Sequence, residues 1–218
     1  SLAYLLPSIF FAMAAKRPCV VATHTISLQE QLLTKDLPLC RTLFEKSPEL
    51  TDFKEFKATL LAGKANYLCT TRLAEAMKTK GQAELFETSE SNELNRIGQW
   101  AYDSARDGMR QELSPRPSPE LWDRINADSS LCSRQRCNLE ECYYQRAKER
   151  ISKADLIVVN HSLLFALLGA GLGQKPDSKG ILFPSDFVIL DEAHRVPKTA
   201  SDHFGTVIGS YSVALTLR

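Results

Sequence analysis

The sequence predicts an α/β fold: a parallel, doubly wound sheet with helices on both faces, incomplete, and interrupted by a mainly helical insert. Three observations lead there. Short apolar runs without alternation at 18–23 and 155–159 read as strands buried on both faces, and Phe187–Leu190 reads as a third apolar strand. Helical stretches follow each of them, the order that builds parallel sheets. Between the first and second strands, roughly 64–153, the apolar pattern weakens, which marks an inserted subdomain whose order depends on something besides its core.

Leu2–Ala15, LAYLLPSIFFAMAA, is apolar nearly throughout and reads as a buried helix, although Pro7 lies inside it. It is too short to span a membrane. It ends in small residues like a signal-peptide core, yet lacks a basic stretch before it and an initiator Met. The strand at 18–23 is followed by a helix from about Ser27, whose hydroxyl can cap it with Glu30 in the capping-box position. Within the insert, 92–106 has an amphipathic helical pattern. Ser114-Pro115-Arg116-Pro117-Ser118-Pro119 is a loop, with Ser118 and Pro119 placed to start a helix through Asn126. After the strand at 155–159 comes a helix near 161–168, then a Gly-, Pro- and Ser-rich loop over about 169–180. The strand Phe187–Leu190 ends at Asp191 and leads into a helix.

The 218 residues suffice to bury a sizeable core, and 44% hydrophobic with 24% charged residues is ordinary for a globular chain. A net charge of +1 gives no global sign of a polyanionic partner, so any nucleic-acid surface must be local. The six cysteines are too sparse for a disulfide scaffold. Cys132, Cys137 and Cys142 are clustered, which suggests a metal site in a reducing, cytoplasmic compartment. Cys19, in a strand, and Cys40, without a near partner, read as core.

Four apolar residues followed by Asp191-Glu192 put two carboxylates at the carboxyl edge of a parallel sheet, where open α/β sheets bind ligands. Asp191 there can hold Mg²⁺ through water, and Glu192 can orient or deprotonate the water that attacks a γ-phosphate. An Asp-Glu pair alone also caps helices. The whole stretch Val188-Ile189-Leu190-Asp191-Glu192-Ala193-His194 is more specific and matches the Walker B DEAH box of superfamily-two helicases.

Cys132, Cys137 and Cys142, evenly spaced, with distant Cys69, offer four thiolates, enough to ligate one 4Fe-4S cluster. Zinc, which draws on tighter pairs, and unliganded cysteines are the rival readings. Around them Arg134, Arg136, Arg146, Lys148, Arg150 and Lys153 outnumber Glu140, Glu141 and Glu149, with Tyr143 and Tyr144 interleaved. Cations for phosphates and rings for bases suit single-stranded DNA. A solvated helix with pairs such as Glu149–Lys153 is the alternative.

Together these features resemble the DinG/XPD family of iron–sulfur DNA helicases over nearly the whole chain, more the bacterial DinG branch. Val20-Val21-Ala22-Thr23-His24-Thr25 with Leu28-Gln29-Glu30-Gln31-Leu32 is similar to the family's motif Ia, which touches the bound strand. Ala62-Gly63-Lys64-Ala65-Asn66-Tyr67-Leu68-Cys69 is similar to the segment presenting the first cluster ligand. The stretch from Ala154 to Leu164, with Asn160-His161, is similar to the strand and NH motif before the DEAH box.

The resemblance implies a RecA-like motor domain: 1–63 and 154–205 as its two parts, 64–153 as the iron–sulfur insert, and 206–218 as the start of the next segment. It implies ATP and Mg²⁺, with Asp191 on the cation, Glu192 activating water and His194 coupling ATP state to the DNA site. Cys69, Cys132, Cys137 and Cys142 would hold a 4Fe-4S cluster. Thr23, His24, Gln29, Arg134, Arg136, Tyr143 and Arg146 would meet single-stranded or forked DNA, unwound 5′→3′ by a monomer in repair or replication. The phosphate loop G-x-x-x-x-G-K-S/T is absent, so Ser1 is expected to be its last residue and a Mg²⁺ ligand. With the second motor domain also beyond Arg218, the isolated chain is expected to turn over little ATP. The alternatives are a non-catalytic iron–sulfur or zinc module that binds nucleic acid, and a helicase-fused nuclease.

Overall fold

The computed structural model describes residues 1–83, 89–128, 132, 137–138, 140–169 and 187–205. They fall into two units, Ser1–Ala58 with Asp155–Arg218, and Thr59–Ala154.

The first unit opens with α1 (Leu2–Ala15) and β1 (Cys19–Thr23). Lys16 ends α1 in the left-handed conformation at φ 52°, its N–H returning to the Ala12 carbonyl. Pro7 lies inside α1, where its missing N–H cannot donate to the Ala3 carbonyl one turn back. α2 (Ile26–Gln31) is capped by Thr25, whose hydroxyl accepts the Leu28 N–H at 3.2 Å; the cap thus lies two residues before Ser27. A π-turn at Leu32–Asp36 joins α2 to α3 (Leu37–Glu45) without a break. Pro38 follows at once. Its missing N–H and its ring disrupt α-helical bonding to the previous turn, and the wider π-turn accommodates it.

β2 (Ala58–Leu60) begins the passage into the second unit, where α4 (Thr70–Ala83), α5 (Ser89–Asp103), α6 (Pro119–Ile125) and α7 (Tyr143–Ile151) lie. The chain returns through β3 (Leu156–Asn160), α8 (His161–Gly169), β4 (Phe187–Leu190) and α9 (Val196–Phe204).

The sheet order is β2-β3-β1-β4, and β1 runs parallel to both neighbours, Cys19 opposite Leu156 and Phe187. Every β1 residue is buried, which explains why the strand reads as a continuous apolar run. Alternate side chains serve opposite faces. Cys19, Val21, Leu156 and Val158 pack with Leu5, Ile9 and Ala12 of α1 and with Leu37, Cys40 and Phe44 of α3. Val20, Ala22, Ile157 and Val159 are equally buried on the other face, and α8 packs on the same strands through an apolar helix with Leu164 and Phe165 buried. β4 is the third apolar strand that the sequence predicts, less buried than β1 and β3. It lies at the sheet edge, and Phe187, Val188 and Leu190 keep about two fifths of their surface exposed.

The second unit has a core of its own, more than the weak apolar pattern suggests. Tyr67, Leu68, Ile97, Leu121, Trp122 and Ile125 are essentially fully buried. Trp122 donates its indole N–H to Ala65 O at 2.7 Å, and Tyr67 OH accepts the Ala62 N–H at 3.1 Å. Arg72 ties α4 to the end of α6 by donating to the carbonyls of Asp123 and Asn126. The Trp122 and Arg72 bonds join residues more than fifty positions apart, so no local periodicity displays them. Ser118 is the N-cap of α6 but makes no capping bond; its hydroxyl and N–H both go to the Glu93 carboxylate, while Pro119 starts the helix.

Candidate functional site

In the first unit the site is the carboxyl edge of the sheet. The Asp191 N–H donates to Ala22 O at 2.8 Å, so the chain is held to β1 just past the end of β4. Tyr4 OH donates to Asp191 Oδ2 at 3.0 Å. Burial, first, and then that bond and the charges of Asp191, Asp36 and Glu192 hold the Tyr4 phenol well above its usual range, so it stays protonated. Ser1 is the N-cap of α1; its carbonyl accepts from the N–H groups of Tyr4 and Leu5, and its hydroxyl makes no capping bond.

Glu192 adopts φ 53°, ψ 41°, a left-handed conformation that costs a non-glycine residue about 1 kcal/mol or more. The turn divides the carboxylates. Asp191, half-buried, meets α1, whereas Glu192, exposed, lies 3.3 Å from Nδ1 of His194. Two carboxylates with different partners can take different tasks.

The motif-Ia residues divide by burial. His24 is exposed beyond β1, 6.1 Å from His161 between ring centres. Thr23 and Gln29 are fully buried, and the Thr23 hydroxyl and both polar atoms of the Gln29 amide have no hydrogen-bond partner among the described residues. Asn160 Oδ1 accepts the Leu163 N–H at 2.8 Å and so caps α8. His161 is fully buried, with Nε2 3.2 Å from Ala22 O. Sequence reasoning missed His161 as a buried link and Tyr4 as a partner of Asp191; a lone tyrosine in an apolar helix carries no signal beyond its polar tip.

In the second unit Cys69, Cys132 and Cys137 line a cavity of about 260 Å³ with Thr71, Arg72, Glu75 and Asp128. Cys142 is the N-cap of α7. The backbone places these thiols: the Cys69 N–H donates to Ile125 O at 2.8 Å and the Cys132 N–H to Asp128 O at 3.0 Å. Burial pushes the Cys132 thiol up, helped by Cys137, Cys69 and Cys142 and opposed by Lys64, so all four sulfurs share one electrostatic neighbourhood. Among the described residues no three His, Cys, Asp or Glu side chains converge as a single metal ion requires. Three of the four cysteines, Cys69, Cys132 and Cys137, thus share one cavity, and Cys142 lies at the start of α7.

α7 borders a second cavity of about 270 Å³, lined by Arg106, Asp107, Tyr143, Arg146, Glu149, Arg150 and Lys153. Tyr143 is 6% exposed, donates to Ala101 O at 3.1 Å, and carries the Arg146 guanidinium 4.5 Å above its ring. Its ring is occupied by packing, and the outward group at this position is Arg146. Arg134 and Arg136 lie outside the described residues.

No known protein-family model matches the chain. The chain is 32% identical to the ATP-dependent DNA helicase DinG of Photobacterium profundum, over 99% of its own length and 30% of that protein. It is 30% identical to the ATP-dependent DNA helicase YoaA of Haemophilus influenzae, over 95% of its length and 30% of that protein. A protein named 3'-5' exonuclease DinG, from Bacillus subtilis, is 28% identical over 94% of the chain and 20% of its own length. The chain thus spans a third or less of the length of these relatives. Along almost all of its own length, this chain is a DinG-like sequence.

Proposed function

We propose that this chain supplies part of the first motor domain, with its cluster insert, of an ATP-dependent DNA helicase. The observation that carries the reading is the divided carboxylate pair at the carboxyl edge of the parallel sheet, Asp191 bonded to Tyr4 and Glu192 turned toward His194. Mg²⁺ at Asp191, with the Ser1 hydroxyl as a further ligand, would neutralise charge on the nucleotide phosphates. Glu192, exposed, orients and deprotonates the attacking water. His194 carries the state of Glu192 toward the DNA path, which includes His24 on the same sheet edge.

The thiolates of Cys69, Cys132, Cys137 and Cys142 hold a 4Fe-4S cluster, which supplies a rigid covalent hub for a unit whose ligands lie far apart in sequence. Support comes from the cavity that Cys69, Cys132 and Cys137 share and from the influence of Cys69, Cys137 and Cys142 on the Cys132 thiol. Arg146, with Arg134 and Arg136, meets phosphates of single-stranded or forked DNA, and Thr23, Gln29 and Tyr143 shape the surfaces around those contacts. The protein acts as a monomer in the cytoplasm, moves 5′→3′ and serves DNA repair or replication. No helix among the described residues is long and apolar enough to cross a membrane.

The test uses the full-length protein that bears this chain. Glu192→Gln should lower DNA-stimulated ATP hydrolysis by about 10²-fold or more, the usual worth of a general base, while ATP binding persists. Turnover within a few-fold of the unmodified protein would overturn the reading.

A further inference from the structure

Tyr4 is held independently of Asp191. It lies in the first turn of α1, next to the fully buried Leu5, and its ring packs against the core that Leu5 and Ile9 share with β1 and β3. The Asp191 backbone is pinned from the other side by the bond from its N–H to Ala22 O. The freedom left is rotation of the carboxylate, and the Tyr4 hydroxyl claims Oδ2 at 3.0 Å. A half-buried carboxylate tethered through one oxygen presents the other without first surrendering rotamer entropy.

We propose that Tyr4 is a positioning residue for the cation site: its hydroxyl orients the Asp191 carboxylate so that the free oxygen meets the nucleotide-bound divalent ion. The inference rests on the motor reading and deepens it. Tyr4 acts through Asp191. Because α1 follows directly on Ser1, the same helix turn that carries Ser1 also sets the carboxylate opposite, and the two ligands are aligned by one rigid element.

The experiment compares the full-length protein with its Tyr4→Phe variant, which keeps the ring and its packing. Mn²⁺ binding to the ATP complex is read by electron paramagnetic resonance, alongside the Mg²⁺ dependence of hydrolysis. Loss of one hydrogen bond to a charged group should weaken Mn²⁺ binding roughly tenfold and raise the half-saturating Mg²⁺ concentration equally. Turnover at saturating Mg²⁺ should stay within about twofold, the pattern of lost binding. In an Asp191→Asn background, adding Tyr4→Phe should change Mn²⁺ binding no further. Unchanged Mn²⁺ affinity and Mg²⁺ dependence in Tyr4→Phe, even with a lower melting temperature, would make the bond a structural staple and overturn the proposal alone. If the unmodified protein neither binds Mn²⁺-ATP nor hydrolyses ATP, the motor reading falls and the proposal with it.

Discussion

Gly108 lies at φ 68° beneath the Tyr143 ring, where an added Cβ would overlap the ring carbons. Both facts select glycine: the left-handed backbone penalises any Cβ, and Tyr143 cannot retreat while it bonds to Ala101 O. Gly108→Ala should therefore destabilise the second unit by about 2–4 kcal/mol, combining overpacking with backbone strain. Thermal melting measures this, and a loss below about 0.5 kcal/mol, the range of innocuous surface changes, would contradict the close approach. Glu192 shows the opposite choice. It is a non-glycine residue kept in the left-handed region at the sheet edge, and the strain is understandable where the turn sends its carboxylate away from Asp191.

α7 shows how one helix combines packing with charge. Tyr143, Ala147 and Ile151 form its buried stripe at helical spacing, and Arg146, Lys148 and Arg150 fall outside it. Arg150 is already paired with Asp107 at 2.5 Å, whereas Arg146, exposed, stacks on the Tyr143 ring. If Arg146 contacts a DNA phosphate, Arg146→Ala in the full-length protein should weaken single-strand binding uniformly across sequences. It should also lower the log–log salt slope by about 0.7, the share of one phosphate contact. Fluorescence anisotropy across a salt series reads both; an unchanged slope would remove Arg146 from the DNA path. In the first unit the π-turn before Pro38 makes a different point about elements: a proline that would break an α-helix is absorbed by local widening, so α2 and α3 stay continuous.

At the scale of the molecule, the two units have separate apolar cores but different chemical support. The first is built around a parallel sheet buried on both faces. The second has Cys69 ahead of α4 and three cysteines ahead of α7, and the cluster proposed on them would close that long loop. The full-length protein should thus carry about four irons per chain with the visible absorbance of an iron–sulfur chromophore. Cys137→Ser should lose that iron and speed amide hydrogen exchange in α4 and α7, while amides of β1 and β3 stay protected because their core does not use the cluster. Full iron content in Cys137→Ser would exclude Cys137 from the ligand set.

α1, β1, β4 and the start of α6 were legible from residue order because each is set by local rules: an apolar run, a proline at a first turn, a strand ending in carboxylates. So were the DEAH stretch and the cysteine spacing, since their residue types and intervals are themselves the signal. The cap of α2 was displaced by two residues, because Thr25 and Ser27 are chemically equivalent caps and only the backbone path chooses between them. Exposure of β4 depended on its place at the edge, and the second unit's core on contacts between distant segments; neither is a local property. The same holds at the sites. Sequence alone determined which groups are present, the carboxylates, thiols and cations, and the order of the elements that carry them. Tertiary structure alone decided that Tyr4 holds Asp191, that Glu192 turns toward His194, that Thr23 and Gln29 are buried, and that Cys69 shares a cavity with Cys132 and Cys137. Each is a distance between residues far apart in the chain or a choice of backbone angle, which residue order constrains only through the folding of the whole.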